Sequence, residues 1–176
     1  MKENLKKIKE KSFLSFLIKD AIFIITVWML FEYVVLLGKE QSDSMSPTLV
    51  TGDILISDRL FYIFHEPKTG DIISFTFTED GEAKVYCKRI IAVAGDEVSF
   101  KDGKVLVNGN IVDETSYIEE DTLTIGFDTY FVPEGHCFVL GDNREQSYDS
   151  RFWEEPYVSY EDIIAKLLFK IPLGKH

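Results

Sequence analysis

Residues 21–38, Ala21 to Gly38, are apolar at every position but Glu32, and the rest of the chain must be arranged around them. Eighteen residues is near the lower limit for a helix crossing the hydrocarbon core of a bilayer. The preceding twenty residues carry six Lys (2, 6, 7, 9, 11 and 19) against Glu3, Glu10 and Asp20, a net of +3. A basic flank before a span predicts a cytoplasmic N-terminus and places the C-terminal domain outside. A cleavable signal peptide would have a shorter apolar region and a small-x-small site, and Leu37-Gly38-Lys39-Glu40 offers none. The other alternative is a buried amphipathic helix of a soluble protein. Glu32 is costly in lipid, so within a span it is protonated, faces a partner helix, or lies near the outer interface. The expected layout is a basic N-terminus at 1–20, a signal anchor at 21–38 and an extracytoplasmic domain at 39–176.

The whole chain has 176 residues and a formal charge of −11, so the part beyond the basic N-terminus is more acidic still. That length and an apolar share of 45% suit one domain with a true core. Nucleic acid is excluded as a partner, because its phosphates require clustered Lys and Arg. Cys87 and Cys137 match no metal spacing, and they read as free buried thiols rather than a bridge.

Beyond the anchor the chain reads as short strands and turns. Ile54–Ser57 is strand-like, and the Leu60–Phe64 cluster ends in a Pro/Gly loop at 65–70. Asp71–Thr78 and Ala83–Ala94 are rich in β-branched and aromatic residues and flank the hairpin turn 79–82. Asp102-Gly103 and Asn108-Gly109 are turn pairs on either side of Lys104–Val107. Tyr130–Val132 and His136–Leu140 bracket Pro133-Glu134-Gly135. Only the anchor and residues 159–169 read as helical. The fold class is mainly β, with antiparallel pairing. The Leu60–Phe64 cluster reads equally as core or as lipid contact.

Histidine chemistry is poorly supported. His65 lies in a Pro loop, His136 in a turn, and His176 at the end. There is no Gly-x-Ser-x-Gly elbow and no His-Glu-x-x-His. A serine nucleophile would then need another base, and a desolvated lysine amine can serve. Lys88 lies in the apolar run 83–94, where strand alternation sends Tyr86 and Lys88 to one face and Cys87 and Arg89 to the other. One of the two basic residues must face inward or into a cleft; the alternative for Lys88 is a solvated sheet edge. Ser44, in Ser42-Asp43-Ser44-Met45-Ser46-Pro47-Thr48-Leu49, is either part of a plain turn or a residue presented by a loop that Pro47 constrains. Residues 141–151 form either a solvated turn or a buried Asp–Arg network beside a site.

Taken in order, these segments resemble those of the type I signal peptidases, the bacterial leader peptidases of peptidase family S26 that use a Ser–Lys dyad. The matching motifs are Ser-Met-x-Pro-Thr-Leu at 44–49, Gly52-Asp53, Lys88-Arg89 followed by Gly95-Asp96, and Gly-Asp-Asn-Arg-x-x-Ser-x-Asp-Ser-Arg at 141–151. Asp102-Gly103-x-Val105-x-Val107-Asn108-Gly109 and Val132-Pro133-x-Gly135 are also similar to the family. The resemblance implies a barrel-like β domain of the signal peptidase fold behind one transmembrane helix. It implies Ser44 as nucleophile and Lys88 as general base. Ser42 would share an oxyanion hole with the Ser44 N–H, and Ser147 would orient the lysine. Asp142, Arg144, Asp149 and Arg151 would form the supporting network, with Asp149–Arg151 an ion pair. Met45, Leu49 and Tyr86 would line the substrate pocket.

No metal or cofactor is implied. The implied partners are signal peptides with small residues at −1 and −3, the lipid bilayer and the secretion translocon. The lysine, where eukaryotic-type relatives carry histidine, points to a bacterial, Gram-positive-like cell membrane enzyme. Departures from the family pattern are Asp43 beside the nucleophile, Ala94 for proline, Glu145-Gln146 for Asp-Asn, and Ala165 for glycine. Asp43 would raise the pKa of the lysine if it pointed inward. Six residues separate Gly38 from Ser44, at most about 20 Å of chain, so the implied nucleophile is tethered near the membrane surface.

Overall fold

The computed structural model describes residues 2–79, 81–119 and 121–173, so Asp80 of the 79–82 turn and His176 lie outside it. The chain divides into two compact units, residues 1–35 and 36–176. The first is helix α1 (Lys2–Val34). Within it, Phe13–Val34 has a mean hydropathy of 2.0 and is long and apolar enough to cross a membrane. Lys19 and Asp20 fall inside this window, which is why the apolar stretch read from the sequence starts later, at Ala21. It also ends differently: the helix stops at Val34 and Val35–Lys39 is strand β1.

The second unit is almost entirely β. After β1 come β2 (Ile54–Asp58), the single helical turn α2 (Phe61–Phe64), β3 (Ile72–Glu79), β4 (Glu82–Val93), β5 (Glu97–Lys101), β6 (Lys104–Val107), β7 (Asn110–Ile111), β8 (Tyr130–Phe131), β9 (His136–Leu140), β10 (Val158–Ser159) and β11 (Ile163–Ile171). A seven-stranded sheet has the order β1-β2-β11-β3-β4-β9-β10, and a four-stranded sheet the order β7-β6-β5-β8. The pairings of β2, β3, β4, β9, β10 and β11 along the large sheet are antiparallel. Both turn pairs of the small sheet behave as their sequences require. Asp102-Gly103 and Asn108-Gly109 all have positive φ, and they close two-residue hairpins at Lys101↔Lys104 and Val107↔Asn110. Asn-Gly and Asp-Gly favour such turns because their backbone twist matches that of the strands.

β4 is central and explains the long apolar run at its end. On one side Ile90 packs with Ile73, Phe75, Cys137, Val139 and Trp153. On the other, Ile91 and Ala92 pack with Val98, Val105, Phe138 and Leu140. Burial of both faces removes the polar alternation expected of a half-exposed strand.

The segment 159–169 corrects the sequence reading. It is not helical beyond the 3₁₀ turn Tyr160–Asp162, and Ile163–Ile171 is a strand held between β2 and β3. Its register shifts between Ile163 and Ala165 and again between Leu167 and Phe169. Each irregularity breaks the period of two, so the apolar residues fall at helix-like spacing. The Leu60–Phe64 cluster divides: Tyr62 packs against the core around Ile73, while Ile63 and Phe64 are exposed. Cys87 and Cys137 are free thiols. Cys137 is opposite Val93, six residues and about 20 Å along β4 from Cys87.

Candidate active site

The loop after β1 is pinned from below. Leu49 N–H donates to the Met45 carbonyl (2.8 Å), closing a turn whose two apolar side chains pack with Leu55. Ser44 sits at the start of this turn, next to the cis Ser46–Pro47 segment, and is 8% exposed. Lys88 reaches it from β4, where the register places it opposite Ile73. Its Nζ lies 2.6 Å from Ser44 Oγ, across 44 positions of sequence. Lys88 is 2% exposed, and its Nζ is 5.6 Å from the centre of the Tyr86 ring.

Burial pushes the Lys88 amine below the usual lysine range, opposed by Asp149, Cys87, Glu40 and Asp142. A neutral amine bonded to a hydroxyl can take its proton as the oxygen attacks a carbonyl, then return it to a leaving nitrogen. Ser42 stands alongside, its Oγ 3.1 Å from Ser44 Oγ. These groups open on a cleft of about 710 Å³, bordered by Leu36, Gly38, Glu40, Ser42, Ser74, Tyr86 and Tyr148 among others.

The 141–151 loop is a buried network rather than a solvated turn. Arg151 pairs with Asp149 (2.8 Å), and Asp149 accepts the Gly141 N–H (3.0 Å). Arg144 pairs with Glu114 and donates to the Gly141 carbonyl (3.1 Å). Arg89 forms a two-point pair with Asp142 (2.8 and 2.7 Å) under the Tyr117 ring. The loop holds the Ser44 segment directly: Asn143 N–H donates to the Ser44 carbonyl (3.1 Å), and Asn143 Nδ2 to the Asp43 carbonyl (3.1 Å). A Cβ at Gly141 would fall 2.4 Å from the Ser44 carbonyl oxygen and 2.2 Å from Ser147 Oγ, so glycine alone permits this approach.

The expected site residues are therefore placed unevenly. Ser42, Ser44, Lys88 and Tyr86 share the cleft. Met45 and Leu49 do not border it: their side chains are fully buried in the core beneath, because they anchor the turn that carries Ser44. Ser147 is buried beside Gly141, but its hydroxyl makes no hydrogen bond, to Lys88 or to any other described residue. Asp43 turns outward to the Thr51 hydroxyl (2.7 Å), away from the lysine. His65 and His136 bond to neighbouring backbone carbonyls and take no part. Sequence reasoning missed Arg89 and Glu114 as partners of Asp142 and Arg144, and missed Glu40 in the cleft. Arg89 was signalled by its place in the apolar run; Glu114 lies in a segment without periodicity and carried no signal.

A buried serine bonded to a buried lysine amine, on an antiparallel β scaffold, is the arrangement of a serine–lysine hydrolase. The chain belongs to the signal peptidase, peptidase S26 family, whose sequence pattern matches residues 13–171. It is 38% identical over 159 residues to a probable thylakoidal processing peptidase 2 of Arabidopsis thaliana, covering 86% of this chain and 42% of the relative. It is 32% identical over 215 residues to the signal peptidase I of Aquifex aeolicus, covering 88% and 83%. A crystal structure of a signal peptidase I from Enterococcus faecalis V583 aligns with a TM-score of 0.48 at 27% identity, over 60% of this chain and 98% of that one. The chain spans about half the length of the two thylakoidal processing peptidases and of a probable signal peptidase I-2 of Synechocystis sp., from 42% to 52%.

Proposed function

We propose that this chain is a membrane-anchored serine endopeptidase that removes N-terminal signal peptides from exported preproteins. Ser44 is the nucleophile and Lys88 the general base. As Ser44 Oγ attacks the scissile carbonyl, its proton passes to Lys88 Nζ, and the oxyanion accepts from the Ser44 N–H and from the Ser42 hydroxyl, which rotates away from Glu40 Oε1 to reach it. The ammonium then gives its proton to the leaving amine, which departs as the mature N-terminus. Lys88, neutral again, activates a water that hydrolyses the acyl-enzyme and frees the signal peptide and Ser44.

The observation that carries this reading is the 2.6 Å contact between a buried Lys88 amine and Ser44 Oγ. Family membership and the names of the relatives, signal peptidases and processing peptidases, agree with it. Small residues at −1 and −3 are the preference the family reading carries, and Tyr86 borders the cleft beside Ser44 and Lys88. The apolar helix is the membrane anchor, with residues 1–20 cytoplasmic, and residues 39–176 act outside, near the point where the translocon delivers substrate. Lysine rather than histidine as the base makes the enzyme bacterial in type.

The test is cleavage of an Ala-x-Ala preprotein in detergent by wild type, Ser44→Ala and Lys88→Ala. Cleavage by wild type and its loss in both variants is the expected result. Persistent cleavage by Ser44→Ala would sink the mechanism. No cleavage by folded wild type would move the reading to a non-enzymatic or dedicated role.

A further inference from the structure

Glu40 brings a buried carboxylate into the same cleft. Its backbone is fixed by two hydrogen bonds, Glu40 N–H to the Asp53 carbonyl and Gly52 N–H to the Glu40 carbonyl, both 2.9 Å. The residue is only 7% exposed. Its Oε1 accepts the Ser42 N–H (3.1 Å) and the Ser42 hydroxyl (3.0 Å). Ser42 Oγ is in turn 3.1 Å from Ser44 Oγ, which meets Lys88. The four side chains form one continuous line, Glu40–Ser42–Ser44–Lys88.

The groups that face Lys88 are unequal. Asp142 is paired with Arg89, and Asp149 with Arg151. Cys87, the neighbour on β4, has its thiol pushed up to about 12 by burial and is uncharged. The cleft lysine Lys84 pairs with Glu79. Among the described residues, Glu40 makes no ion pair. Its carboxylate is held at the reacting groups by the two hydrogen bonds from Ser42.

We propose that Glu40 is a positioning residue for the Ser44–Lys88 pair: it holds Ser42 Oγ against Ser44 and places a carboxylate at the reacting groups. This rests on the peptidase reading above. The negative charge favours the ammonium form of Lys88 and opposes the effect of burial. Removing it makes Lys88 easier to deprotonate, so the acid limb of kcat/KM moves to lower pH.

The experiment compares wild type, Glu40→Gln and Glu40→Leu as full chains in detergent. Lys88 is titrated through its ¹³Cε signal, assigned by its absence in Lys88→Arg, and kcat and kcat/KM are measured against pH on an Ala-x-Ala preprotein. Glu40→Gln should move the Lys88 titration and the acid limb together to lower pH and lose less plateau kcat than Glu40→Leu, because its amide oxygen still accepts from Ser42. Glu40→Leu should move both in the same way and also lose roughly tenfold in plateau kcat, the loss of one good hydrogen bond. An unmoved Lys88 titration in Glu40→Gln, or a wild-type plateau in Glu40→Leu, overturns the proposal. The titration does not depend on turnover, so a wild type that fails to cleave would refute the peptidase reading while the Lys88 signal still decides the role of Glu40.

Discussion

Replacing Arg89 with Met should unfold this domain far more readily than its place on a strand would suggest. The Asp142 side chain is fully buried, and that of Arg89 is 11% exposed. Arg89 supplies both hydrogen bonds that hold the Asp142 carboxylate, donates a third to the Gly70 carbonyl (3.0 Å), and stacks under Tyr117 at 4.0 Å. Removing one partner of a buried pair leaves the other charge without solvation, at a cost of about 3–5 kcal/mol. Replacing both with apolar residues of similar volume removes the desolvation problem, so Arg89→Met/Asp142→Leu should cost no more than about 1–2 kcal/mol. The signature is strong non-additivity, with the double variant more stable than Arg89→Met. For a domain of this size the single substitution should lower the melting temperature by roughly 10–20 °C. Thermal unfolding of the full chain in detergent, followed by tryptophan fluorescence, measures it. An Arg89→Met variant within about 1 kcal/mol of wild type, or additive effects in the double variant, would refute the argument that this pair carries the loop.

Three further substitutions separate folding from chemistry. Gly141→Ala should reduce cleavage by at least about a hundredfold, because the added Cβ meets the Ser44 carbonyl oxygen, which is backbone and has no rotamer with which to escape; near-normal kcat would refute this. Ser147→Ala should leave the melting temperature unchanged or slightly raised, since the hydroxyl has no partner to lose; if the family role of this serine holds, kcat alone falls, and a large loss of stability would contradict the placement. Lys88→Met should abolish cleavage yet stabilise the fold by roughly 1 kcal/mol at neutral pH, because it removes a buried amine. The folded pKa of Lys88 lies below its unfolded value, so the unfolded state binds the extra proton and wild-type stability rises with pH through that interval. The advantage of Lys88→Met should therefore shrink as pH rises toward that of free lysine; an advantage that grows with pH would invert the sign of the argument.

Much of the architecture is local in origin. Turn chemistry at Asp102-Gly103 and Asn108-Gly109, β-branched runs and the apolar N-terminal stretch each act over a few residues, so they are legible in the chain. The failure at 159–169 is instructive for the same reason. Two register shifts, forced by fitting Ile163–Ile171 between two strands, gave its side chains a spacing that mimics a helix.

The sequence alone determined the residue types the chemistry needs: a serine on a proline-constrained loop, a lysine in an apolar run, acidic and basic residues clustered at 141–151, and motif order enough to indicate the family. Tertiary structure decided which of them meet. It brought Lys88 to Ser44 across 44 residues, and it gave Asp142 to Arg89 and Arg144 to Glu114. It sent Met45 and Leu49 into the core and set Glu40 in the cleft. Charge pairing and burial are properties of spatial neighbours. Two residues far apart in the chain carry no local mark of their contact until the strands between them are paired.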